Sequence, residues 1–122
     1  MLIKHEPAIL DWEITRGDAY NAFIQICDDD DIPVDLTGFT ISSTARISFD
    51  APKEFDVPIE YIDLRIGQFL VELNSEFTGN LGKAGRPSTI NYDIQLTSPD
   101  KQNITFIRGT FNVSGDYTND KD

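Results

Sequence analysis

From Phe39 to Phe49 the chain alternates without a break. Phe39, Ile41, Ser43, Ala45, Ile47 and Phe49 fall on one side; Thr40, Ser42, Thr44, Arg46 and Ser48 fall on the other. A period of two sustained over eleven residues is the repeat of a half-buried β-strand, and a helix would scatter the same apolar set around its whole circumference. The polar side is hydroxyl-rich with one cation, Arg46, a face suited to solvent or to a partner.

Other stretches read the same way. Leu10, Trp12 and Ile14 alternate with Asp11, Glu13 and Thr15, and Ala22, Ile24 and Ile26 share one face of a second strand. Ile59 to Ile66 and Gln68 to Leu73 form a hairpin about Gly67. Ile90, Tyr92, Ile94 and Leu96 mark another strand, and Ile107, Gly109, Phe111 and Val113 the last one. Between them lie turn signals: Arg16-Gly17-Asp18, Ile32-Pro33, Thr37-Gly38 and Ser98-Pro99-Asp100. Glycine supplies positive φ there, and Asp bonds its own backbone. Ala51-Pro52-Lys53 and Val57-Pro58 bracket a loop, and Gly82 to Pro87 form another. Leu36 is placed to plug a sandwich edge. Asn74 to Leu81 allows one helical turn capped by Asn74 or Ser75.

Turns at roughly 8–12-residue spacing are the mark of a sandwich or barrel. The expectation is an all-β, antiparallel, immunoglobulin-like β-sandwich of about seven to eight strands with at most one short helical turn. Its organisation is an extended N-terminal arm over residues 1–8, one sandwich domain over 9–114 and a flexible C-terminal tail over 115–122. At 122 residues the chain buries roughly two thirds of its unfolded surface, enough for a core without staples.

Twenty-one acidic and ten basic side chains give a net charge of −11. Neither a nucleic-acid backbone nor an anionic membrane suits such a chain, since both need clustered Lys and Arg. Either solubility or docking on a basic surface of a larger assembly accounts for the charge. No apolar run approaches the ~20 residues of a membrane span, and Met1 to Pro7 has no signal-peptide core. Cys27 is the one cysteine; ending an apolar pattern, it reads as a buried inert thiol.

The order and spacing of these elements resemble the N-terminal β-sandwich domain of the phage baseplate upper protein family, found at the head of tail-fibre and baseplate proteins of tailed phages. The matching residues are Trp12-Glu13-Ile14-Thr15-Arg16-Gly17-Asp18, Ile32-Pro33-Val34-Asp35-Leu36-Thr37-Gly38-Phe39, Ala45-Arg46, Gly67-Gln68-Phe69 and Phe77-Thr78. Asn91-Tyr92-Asp93-Ile94 and Gly109-Thr110-Phe111-Asn112-Val113 complete the set. The resemblance covers residues 10–118. It implies structural roles in turns and core for Trp12, Gly17, Asp18, Pro33, Leu36, Gly38, Phe39, Arg46, Tyr92, Asp93 and Gly109. Family members usually continue into a fibre or a second domain, so a chain of this length is expected to be a stand-alone virion piece.

Chemistry-bearing residues are sparse. His5 is the one histidine and lies in the arm, and no spacing singles out a pair of carboxylates, so no catalytic residue is assigned. Asp28, Asp29, Asp30 and Asp31 are weak metal candidates; their spacing is not that of an EF-hand, and a solvated turn explains them. No cofactor is expected. The Arg-Gly-Asp tripeptide is explained by its turn, and the sequons at Asn103 and Asn112 lie in or beside strands. Trp12, Tyr20, Tyr61 and Tyr92 could form a sugar-stacking platform, although Trp12 shares its face with Leu10 and Ile14, which favours core packing.

The resulting expectation is a non-enzymatic structural protein of a tailed-phage virion. It would be an adaptor at the baseplate, tail or tail-fibre attachment point, made in the host cytoplasm. It would work in a symmetric homo-oligomer against other virion proteins, with neither nucleic acid nor membrane as partner. A capsid decoration or head-fibre base and a carbohydrate-binding module are the alternatives.

Overall fold

In the computed structural model, residues 8–46, 54–81 and 87–114 are described. These residues form two packed β-sheets, so the fold is an all-β sandwich. The strands are β1 (Ala8–Ile9), β2 (Trp12–Thr15), β3 (Tyr20–Gln25), β4 (Thr40–Arg46), β5 (Glu54–Asp56), β6 (Ile59–Asp63), β7 (Gln68–Leu73), β8 (Ser88–Thr97) and β9 (Asn103–Ser114). The larger sheet runs β1-β9-β8-β4-β5, with β2 also on β9; the smaller runs β3-β7-β6.

The alternation in β4 places Ile41, Ser43 and Ala45 inward and Thr40, Ser42 and Arg46 outward. Residues 47–49, where the pattern continues, lie outside the described set. β4 pairs antiparallel with β8 from Thr40↔Thr97 to Arg46↔Asn91. In turn, β8 pairs antiparallel with β9. Phe69, Val71 and Leu73 of β7, each fully buried, face Ile90, Ile94, Leu96 and Phe111 across the core. Removing each such side chain from water contributes about 1.5–3 kcal/mol. Leu36 is also fully buried, and its N–H donates to the Leu64 carbonyl at 2.7 Å.

Three features depart from the sequence reading. The first strand is split at Leu10-Asp11, and both halves run parallel to β9: Ala8 pairs with Ile107 and Trp12 with Phe111. Ala8 therefore belongs to a strand, while the rest of the arm and the tail lie outside the described residues. Glu54–Asp56, inside the expected loop, is a short strand against β4. The β6 strand stops at Asp63 because its carboxylate accepts the Arg65 N–H and caps a 3₁₀ turn over Leu64–Ile66. A second helical turn, α1 (Ser75–Gly79), stands where expected, with the Asn74 side chain accepting the Phe77 N–H at 2.8 Å.

Cys27 is a further correction: it is exposed. The inward position at the end of this strand belongs to Ile26, 1% exposed, and the next residue points the other way.

Two glycines are structural necessities. Gly67 has φ +72°, and a Cβ there would lie 2.8 Å from the Ile26 carbonyl oxygen and 2.9 Å from that of Val34. Gly109 carries no special φ, but a Cβ would lie 1.9 Å from the Leu10 carbonyl oxygen. The break in the first strand thus rests directly on bare backbone. We expect Gly109→Ala to cost about 3 kcal/mol or more, because rigid backbone must move. Gly79→Ala, with nothing within 4 Å of the new Cβ, serves as the tolerant control in urea unfolding.

Candidate functional site

The outward residues of β4, β8 and β9 form one polar face. Cross-strand register puts Thr44, Asp93 and Arg108 in one row and Arg46, Asn91 and Thr110 in the next. A shallow groove of 570 Å³ runs over these residues and is bordered by Asp11 and the exposed Ile9. The Asp11 carboxylate accepts from the Thr110 N–H at 2.9 Å and from its hydroxyl at 3.1 Å, which fixes one wall. Two guanidiniums and two carboxylates line the groove, so it is charge-balanced within a chain of net charge −11. Such a surface offers donors and acceptors of both signs in a fixed array, which is a means of setting orientation against a polar partner.

Beneath the groove, Tyr92 ties the strand break to the core. Its hydroxyl donates to the Leu10 carbonyl at 2.6 Å and accepts from the Trp12 indole N–H at 2.9 Å. The Tyr92 ring stacks on Phe111 at 4.5 Å, and Trp12 meets Phe111 edge-on at 6.0 Å. Burial raises the Tyr92 pKa to about 12, with the nearby Asp11 charge adding in the same direction, against the Trp12 hydrogen bond, which lowers it. These contacts engage Trp12 and Tyr92 in packing rather than in a sugar platform. Phe23 and Tyr61 are exposed instead, on the smaller sheet; the Tyr61 hydroxyl accepts the Ile41 N–H at 2.9 Å.

The Arg-Gly-Asp turn is built from within. Arg16 is 6% exposed. Its Nε donates to the Leu81 carbonyl at 2.7 Å, one terminal nitrogen to the Ser114 carbonyl at 3.2 Å and the other to the Ser88 hydroxyl at 3.3 Å. Gly17, at φ +90°, donates its N–H to Thr78 Oγ1 at 3.0 Å, and that hydroxyl donates to the Asp18 carbonyl at 2.7 Å. An adhesive reading needs a free guanidinium, and this one is committed inward.

The acidic run is a closed turn. Asp28 Oδ1 accepts the N–H groups of Asp30 and Ile32 at 2.9 and 3.0 Å, and Asp31 takes φ +63°. Among the described residues no group of three or more His, Cys, Asp or Glu is arranged to hold a metal ion. Pro33 bridges to Cys27, and Val34 N–H donates to the Ile26 carbonyl at 2.9 Å. Gly38 turns the chain at φ +86°, and the half-buried Phe39 donates its N–H to the Leu36 carbonyl at 2.9 Å.

A second groove, at the loop end, is bordered by Asp35, Phe39, Pro99 and Asp100. Hydrogen bonds from the Thr37 hydroxyl and N–H hold the Asp35 carboxyl below its ordinary pKa. Of the motif residues, the structure brings Arg46, Asp93, Tyr92 and Gly109 to one groove and leaves the others in separate turns and core positions. Arg108 belongs to no motif. Its signal is its place on the polar side of the β9 alternation, between inward Ile107 and Gly109. His5 lies outside the described residues.

Two measurements test this arrangement. Arg16→Leu and Arg16→Lys should each cost about 3–5 kcal/mol, since buried carbonyls lose their donors and an ammonium cannot reproduce the guanidinium fork. For Tyr92, a raised folded-state pKa means that its stabilisation is complete below pH 10.0 and is lost as pH climbs toward about 12. Urea melts at about pH 9 and about pH 11 should show that loss in the parent chain, and Tyr92→Phe should lessen it.

No protein-family model matches the chain, and no curated protein matches it. Among solved structures it is similar to the N-terminal domain of phage TP901-1 ORF48, at 10% sequence identity and a TM-score of 0.48, over 89% of this chain and 90% of that one.

Proposed function

We propose that the chain is a non-enzymatic structural protein of a tailed-phage particle, joining components at the baseplate, tail or tail-fibre attachment point. The observation that carries this reading is the polar, charge-balanced face over β4, β8 and β9, where Arg46, Asp93 and Arg108 stand in register on a rigid sheet. Charges of both signs on a preorganised surface give a protein–protein contact its orientation and reject misplaced partners. The order of the sequence elements, which resembles the baseplate upper protein family, supports the same reading. The partners are other virion proteins and further copies of this chain in a symmetric ring, where heterologous contacts close on themselves. The motif residues serve this role indirectly: Tyr92 and Gly109 seat the edge strand that walls the groove, and Arg16, Gly17 and Asp18 hold its far end.

The test is immunogold electron microscopy of particles from the encoding phage. Label at the tail end is the expected result. Label over the head would move the same sandwich to capsid decoration, and unlabelled particles would overturn the virion reading. In particles assembled with Arg46→Glu and Arg108→Glu together, incorporation should fall at least about tenfold, since like charges replace the paired ones. Unchanged incorporation would show that another surface makes the contact.

A further inference from the structure

The described residues form four sheet edges, and three carry features that discourage pairing with another strand. The β6 edge has Glu60, Asp63 and a bulge between Tyr61 and Asp63. The β5 edge is three residues long and includes Asp56. The first-strand edge is broken at Leu10-Asp11 and carries Glu13. Short length, bulges and charge are the ordinary protections of an exposed edge. The β3 edge has none of them: Tyr20 to Gln25 runs six residues in unbroken register with β7. No residue from Ala19 to Cys27 is charged.

Its backbone is open in a definite pattern. The Ile26 N–H donates to the Gly67 carbonyl at 2.9 Å, so the even-numbered residues turn their hydrogen-bonding groups toward β7. Those of Asn21, Phe23 and Gln25 therefore turn to the free edge, as alternation in an antiparallel pair requires. The same three side chains are exposed on the outer face, Phe23 at 57%.

We infer that β3 pairs antiparallel with β3 of a second copy about a twofold axis through Phe23. The strand is self-complementary in that register. Phe23 meets Phe23 of the other copy, and the Asn21 amide meets that of Gln25, so an aromatic pair is flanked by amide pairs. On the inner face Ala22 falls opposite Ile24. The strand's neutrality also selects this occupant. Two chains at −11 repel, and among the described edges this is the one at which copies meet without bringing like charges into contact. Asp18 and Asp28 lie beyond either end of the strand, and Glu72, beside Asn21 on β7, shares its row in this register with Gln25 and Gln68 of the other copy and not with a second carboxylate. The contact is isologous and separate from a ring interface, and it does not depend on where the protein resides.

Sedimentation of the full chain over roughly 1 µM to 1 mM tests the inference; a one-strand interface sits at the small end of the range and corresponds to micromolar association. The expected result is a monomer–dimer equilibrium that tightens with added salt as repulsion is screened. Phe23→Lys should weaken it at least about tenfold, and Ile62→Lys, on the β6 edge, should leave it unchanged. Both positions are exposed, so thermal melts should show retained folding. Amide exchange at Asn21, Phe23 and Gln25 should slow as concentration rises, a readout that does not require a variant. A chain monomeric throughout the range would overturn the inference. So would a dimer that Phe23→Lys leaves intact while those three amides still exchange freely.

Discussion

The guanidinium of Arg16 is the corner post of the sandwich. The chain leaves the larger sheet at Thr15 and enters the smaller at Tyr20, so the turn between them joins the two layers. Burying a cation there is costly unless each of its donors finds an oxygen. The oxygens come from the segment after α1 at Leu81, the start of β8 at Ser88 and the end of β9 at Ser114. One side chain thus fixes the relative positions of segments that share no local sequence. Thr78, fully buried, repeats the arrangement from the helical turn by holding Gly17 and Asp18. With this corner set, the inward faces of β7, β8 and β9 meet over a core that includes Phe69, Ile94 and Phe111.

The polar face over β4, β8 and β9 follows from that scaffold. A polar surface on a loop would be mobile; here Arg46, Asp93 and Arg108 stand on three adjacent strands whose inner faces are packed. The first-strand edge borders the groove because Leu10 and Asp11 lie across Gly109, with Tyr92 and Thr110 as hydrogen-bond partners. Packing below and the groove above therefore share the same residues, and a change at Tyr92 or Gly109 would act on both.

What could be read from the residues was whatever depends on near neighbours. The alternation of Thr40–Arg46 predicts its inward and outward sets because side-chain direction in a strand is a local property. Asn74 as a cap and the turns at Gly17, Gly38 and Gly67 are legible for the same reason. Non-local partners are not. Leu10 to Ile14 alternates like an unbroken strand, and the break at Leu10-Asp11 exists because β9 supplies a glycine there, about a hundred residues away, at separation 99 for the Asp11–Thr110 contact. Arg16 beside glycine and aspartate reads only as part of a turn, and the convergence of three distant segments is what buries it. Cys27 shows the limit of a period-two reading at a strand end, where a shift of one position exchanges inside for outside. The open edge of β3 was likewise hidden, since an edge strand and a central strand share one pattern.

The parallel seating of β1 and β2 on β9 has a consequence for how the molecule comes into being. The first two strands described have as their sheet partner the last one, Trp12 against Phe111 and Thr15 against Ser114. During synthesis that partner does not exist until β9 itself has been made, so β1 and β2 wait, apolar face uncovered, while the hairpins between them form. Pairing along this edge therefore joins strands of very different age. Long-range pairing of this kind places the domain among slow folders, with closure in the millisecond-to-second regime.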